Sequence, residues 1–154
     1  MTPTSPAVGR LRPLPDLPAP GAVPGSRPDR PRVTELLLSA FAGHRGVTLP
    51  LGALTLLAGP SGSGKSTALR AYEALARLGG GARLDDAFPE PGACVPERSR
   101  ADAQHRRGFR IGCTADGPEG PVRLEVAVQA EPALRIVGER LTAGGRVLLE
   151  TALR

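Results

Sequence analysis

This sequence predicts an α/β fold: a mixed sheet with one long helix after a glycine-rich loop, extended by antiparallel β-hairpins. Three observations lead there. Residues 54–59, LTLLAG, form a continuous apolar run of the kind found in a strand buried on both faces. Residues 65–78, KSTALRAYEALARL, carry apolar side chains at helical spacing. Beyond residue 108 the apolar period falls to two, the mark of strands with one wet face.

The elements follow in order. Residues 1–32 hold nine of the 17 prolines and show no hydrophobic periodicity, so they read as a disordered or extended tail. Order is expected from Val33, where VTELLLSAF reads as a first strand ending at Phe41. Residues 42–46, AGHRG, read as a turn, and the alternating VTLPL of residues 47–51 as a strand pairing back. Gly52 and Ala53 turn the chain into the apolar run 54–59. The helix over 65–78 carries Leu69, Tyr72, Leu75, Ala76 and Leu78 at helical spacing, and Gly79, Gly80 and Gly81 stop it.

Residues 79–107 are rich in Gly, Pro, Arg and Asp and without clear period, and read as a flexible loop. Phe109, Ile111 and Cys113 then alternate with polar or small residues, as do Val122, Leu124, Val126 and Val128. The turn residues DGPEGP, 116–121, join them as a hairpin. Residues 133–141 and 146–151, on either side of Ala143-Gly144-Gly145, give a second hairpin. Residues 33–154 are therefore expected to be one ordered unit.

Composition narrows the class. Of 20 basic residues all but one are arginine, spread along the chain among 15 acids, for a net charge of +5. A concentrated basic patch would point to nucleic acid, whereas this spread reads first as an arginine-rich surface, with DNA contact left open. The best local cluster is Arg98, Arg100, Arg106, Arg107 and Arg110, which reads as a solvated loop, with phosphate-backbone contact as the sharper alternative. Cys94 and Cys113 have neither CxxC spacing nor a nearby histidine, which argues against a metal or redox motif and fits a reducing compartment. With no transmembrane-length apolar run and no leader pattern, the expected location is the cytoplasm, with no membrane span.

The chemistry is concentrated in Gly59-Pro60-Ser61-Gly62-Ser63-Gly64-Lys65-Ser66-Thr67, which matches GxxxxGK[ST]. Glycines let successive N–H groups turn inward around a phosphate, and the following helix points its positive end at the same anion. Lys65, the only lysine of the chain, stands where a point charge for the β- and γ-phosphates is needed. The Ser66 hydroxyl is placed to ligate Mg²⁺, and Thr67 to donate at the α-phosphate side. At this chain's residue frequencies a chance match comes to about 2 in 1,000. The bland alternative is a glycine-rich turn with no ligand. The whole loop is accordingly expected to bind ATP and Mg²⁺, with Lys65 the catalytic charge. A guanine-reading Asn-Lys-x-Asp motif is ruled out, since the chain has no asparagine and no second lysine. Guanylate kinase uses a similarly spelled loop, yet the sole tyrosine, Tyr72, lies inside the helix rather than in a GMP-reading segment.

From Val33 to Leu78 the pattern of a strand ending in phenylalanine, a turn, a second strand and LTLLAGPSGSGKST resembles the N-terminal lobe of ABC-type ATPase heads of the RecF, structural-maintenance-of-chromosomes and OLD-nuclease kind. IVGERLTAGGRVLLE, residues 136–150, is similar to a strand–turn–strand segment of the same heads. The resemblance implies a partial P-loop NTPase head that binds ATP and Mg²⁺ and couples hydrolysis to a partner or a DNA process. The rest of that machinery is not matched. Asp85-Asp86 follows Ala82-Arg83-Leu84, too polar for a Walker B strand, and no Ser-Gly-Gly signature or switch histidine is found. Gln104 and Gln129 read as structural rather than as a Q-loop glutamine, His44 and His105 as solvated loop residues, and Glu139 as a surface partner. The resemblance thus implies an apparently truncated head, needing a C-terminal lobe or second head in cis or trans. A non-catalytic nucleotide-binding fragment or partner subunit is the alternative, and a nucleotide kinase a third reading.

Overall fold

A computed structural model describes residues 31–152 of the chain. The expected proline-rich tail, 1–32, lies almost wholly outside the described residues.

Strands β1 (Val33–Phe41) and β2 (His44–Pro50) form a hairpin about Ala42-Gly43. Helix α1 (Lys65–Gly79) and the short helix α2 (Leu84–Ala87) follow, then a 3-10 turn at Pro91–Cys94. Strands β3 (Arg107–Ala115), β4 (Val122–Glu131), β5 (Arg135–Ala143) and β6 (Arg146–Ala152) complete one sheet of order β2-β1-β3-β4-β5-β6. Every neighbouring pair is antiparallel.

The β3–β4 and β5–β6 hairpins fall where alternation and turn residues place them, whereas the first turn, expected over 42–46, is Ala42-Gly43 alone. Phe109 faces Val128, Ile111 faces Val126 and Cys113 faces Leu124 across β3 and β4, so their apolar side chains share one face. Gly144 and Gly145 have φ of 54° and 78°, the two positive values a type I′ turn demands, and this fixes the register of Ala143 against Arg146. Because β3 pairs with β1 rather than β2, the whole connection from residue 51 to 106 crosses one face of the sheet.

That face holds the core. Leu36, Leu38, Phe41, Phe109, Ile111, Val126 and Val128 are buried beneath α1, Phe88, Cys94 and Val95. The rings of Phe41 and Phe88 meet Phe109 edge-on, with centroids 5.5 and 4.8 Å away, an arrangement the ring quadrupoles favour. Segment 79–107, read from sequence as a loop, therefore contributes a short helix, a 3-10 turn and four core residues, Ala87, Phe88, Cys94 and Val95.

Two expectations need correction. The sheet is not mixed, and the fold is not the α/β arrangement expected: six antiparallel strands are covered by one substantial helix. Residues 54–59, expected as its buried central strand, form no strand; Leu54 is 93 % and Leu56 75 % exposed. Such a strand needs a neighbour on each edge and cover on each face, and among the described residues the sheet offers it neither. Helix α1 turns its alanine face inward. Ala68, Ala71 and Ala74 are buried, with Leu75 and Leu78 partly covered, while Leu69 and Tyr72 are 59 % and 44 % exposed. The short alanine side chains let the helix lie close on β1 and β3.

Candidate phosphate-binding site

The glycine-rich loop lies between the unpaired segment 54–59 and α1, and its backbone does what its sequence requires. Gly62 and Gly64 have φ of 79° and 90°, and Gly59 154°, conformations that L side chains resist. Gly59 and Gly64 are also hemmed in sterically. A Cβ on Gly59 would lie 2.9 Å from Ser63 Oγ, and one on Gly64 would meet the ring of His44. Ser63 N–H donates to the Pro60 carbonyl at 3.3 Å, which closes the loop on itself.

Gly64 is the N-cap of α1, and no side chain caps the helix there. The first intrahelical bond runs from Ala68 N–H to the Gly64 carbonyl at 2.9 Å. Among the described residues, the N–H groups of Gly62, Gly64, Lys65, Ser66 and Thr67 find no acceptor in the protein. They are the open donors of a helix start, and the 15 residues of α1 align their dipoles behind them. No acidic residue stands in the first turn to compete for that positive end.

Lys65 folds back over the loop. Its Nζ donates to the carbonyls of Gly59 at 2.7 Å and Pro60 at 2.8 Å, and to Ser63 Oγ at 3.4 Å. Both its charge and its donors are thus concentrated at the loop. Ser61 and Ser66 are exposed, Thr67 half-buried and Ser63 buried. The nine sequence-predicted residues, Gly59 to Thr67, thus form one closed loop and the first residues of α1.

The fit to a nucleotide's phosphates rests on those open amides and the ammonium. For Mg²⁺ the protein offers one oxygen, Ser66 Oγ. No group of three or more His, Cys, Asp or Glu side chains that could hold a metal occurs among the described residues. Such a site suits Mg²⁺ only in its usual manner, with phosphate and water supplying most ligands. Asp85 and Asp86 do not reach it. They sit past the far end of α1, a helix that spans on the order of 20 Å. There Asp85 accepts from Arg83 at 3.0 and 3.1 Å, a bond that holds its carboxyl below the usual range.

His44 is the residue sequence reading missed. Instead of a solvated loop residue it is the first residue of β2, only 8 % exposed, with Nε2 3.1 Å from the Gly64 carbonyl oxygen. Its signal was register: as the first residue after a two-residue turn it faces Phe41, the end of the core strand.

The other candidates fall apart. Gln129 is buried and structural, donating to the Ala133 carbonyl at 3.1 Å and accepting from Arg135. Gln104 and His105 lie exposed in the turn before β3. Of the arginine cluster, Arg106, Arg107 and Arg110 border an open depression of about 380 Å³ over β3 and β4. Two of these are already engaged, Arg106 with Asp102 at 2.7 Å and Arg107 with Glu131 at 3.5 Å. Glu139 is half-buried in β5 opposite Thr151 and Val126. No helix among the described residues is long and apolar enough to cross a membrane. Compared with known proteins, the chain matches no protein-family model, no curated protein and no solved structure.

Proposed function

We propose that residues Gly59 to Thr67 bind the phosphates of Mg-ATP, and that the chain is the ATP-binding part of a P-loop ATPase of the ABC, SMC and RecF-like type. In that role it couples ATP binding and hydrolysis to a partner or a DNA process. The observation that carries the reading is the sole lysine folded over a glycine loop whose amides, and those of the helix start behind it, are open. Open backbone donors along one loop and helix start, with an ammonium beside them, suit a polyphosphate far better than a neutral ligand.

The residues divide the work. The amides of Gly62 and of Gly64 to Thr67 cradle phosphate oxygens, and Lys65 supplies positive charge as negative charge shifts between the β- and γ-phosphates. Mg²⁺, held through Ser66 and the phosphates, neutralises the same charge when bound. Among the described residues no carboxylate hydrogen-bonds to the loop, so we expect weak binding and little hydrolysis by this chain alone. A complementing lobe or second head would supply the rest. That same lack favours, as a second reading, a nucleotide-binding partner subunit without catalysis of its own.

Titration of the purified chain with a fluorescent ATP analogue and Mg²⁺ tests the proposal. Binding that falls at least tenfold in Lys65→Ala is expected, since a charge-assisted contact contributes roughly 1.5–3 kcal/mol. No binding by the parent chain, or equal binding by Lys65→Ala, overturns it. Phosphorylation of GMP in the same assay series would favour a kinase instead.

A further inference from the structure

We propose that His44 is a positioning residue of the phosphate loop, aiming the Lys65 amide by holding the Gly64 carbonyl. The inference rests on the nucleotide reading above. A carbonyl oxygen only accepts, so Nε2 must carry the hydrogen in the 3.1 Å contact. The Gly64 oxygen has two lone pairs and takes the Ala68 N–H as well, at 2.9 Å. The peptide joining Gly64 to Lys65 is planar and trans, so its N–H points opposite to its C=O. Pinning the carbonyl therefore also fixes the direction of the Lys65 N–H, which points away from the body of α1.

The need for such a pin follows from the fold. A strand in a sheet would fix the entrance of the loop, but residues 54–59 join no ladder. Lys65 bonds only within the loop. Among the described residues, His44 is the one side chain from outside the loop that hydrogen-bonds to it. It is itself well anchored. It opens β2, and the turn before it is tied to the 3-10 turn by the Ala42 N–H, 2.7 Å from the Cys94 carbonyl. The ring occupies the space that a Cβ on Gly64 would fill, so ring and glycine interlock.

The experiment is a titration of the full chain with a fluorescent ATP analogue and Mg²⁺, comparing the parent with His44→Phe, His44→Gln and Lys65→Ala. Phenylalanine keeps the ring and loses the donor, whereas glutamine places an N–H at similar reach. His44→Phe is expected to weaken binding about tenfold, the effect of one lost hydrogen bond. His44→Gln should recover most of that, with thermal midpoints showing all variants folded. Equal affinity of His44→Phe and the parent, or His44→Gln as weak as His44→Phe, overturns the inference while leaving the nucleotide reading intact. If the parent itself does not bind, the nucleotide reading falls and this one with it. Should His44→Phe fail to fold, His44→Leu replaces it, and parental affinity in that variant is the overturning result.

Discussion

At the scale of single residues, the loop depends on glycines for two separate reasons, and Gly64 combines them. Its φ of 90° is strained for any L side chain, and its missing Cβ is the room His44 occupies. Gly64→Ala is therefore expected to destabilise the chain by about 2–4 kcal/mol, backbone strain and steric overlap together, measured by chemical denaturation. The double variant Gly64→Ala, His44→Ala should recover only the steric share, about half. Phe109 sits between two other rings, and Phe109→Ala should cost about 3–5 kcal/mol by the same measurement. The loop and the start of the helix after it were legible in the sequence, since closely spaced glycines allow the positive φ of such a turn. His44 was not, because the spacing of 20 residues between it and Gly64 carries no pattern; the β1–β2 hairpin and the packing of α1 on β1 bring them together.

Among the elements, strands were easier to read than the helix. Alternation in β3 and β4 and the glycine pair of the β5–β6 turn specify pairing locally, and the registers follow. The bounds of α1 follow from its spacing, but which face packs inward does not, since three alanines allow a closer approach than the larger apolar residues. The run 54–59 misled for a related reason. Apolar continuity says that a segment seeks cover, not that the cover is there. The turn leading into β3 carries a testable charge. Asp102 accepts from the amides of Gln104 and Arg106, both at 2.9 Å, and from Arg106 Nε at 2.7 Å. The Arg106 amide foremost holds its carboxyl below the usual range. Its folded value is the lower one, so its contribution is present above about pH 4, the ordinary aspartate value, and is lost as pH falls through the folded value. Asp102→Asn is expected to lower the urea midpoint at pH 7 and to flatten its fall on acidification.

For the molecule as a whole, one helix and the segment around it cover only part of a six-stranded sheet, and apolar residues are left in water. Leu54, Leu56, Leu69 and Tyr72 are exposed in and after the segment that leads into the loop. Apolar exposure of this kind promotes association. The chain is expected to self-associate as concentration rises, and Leu54→Glu with Leu56→Glu to reduce this in sedimentation without lowering the thermal midpoint. The cover also thins steadily across the sheet. Leu36, Cys113, Leu124, Leu141 and Leu149 stand opposite one another in a single row through β1, β3, β4, β5 and β6. Leu36 is buried, the next three are half-buried and Leu149 is exposed. A row of this kind makes stability a function of position. Amide hydrogens of β3 should exchange with deuterium only through opening of the whole domain, those of β5 through smaller openings, and those of β6 through fraying of one hairpin. Denaturant added in small steps should therefore release the strands as an ordered series that starts at β6 and ends beside the phosphate loop.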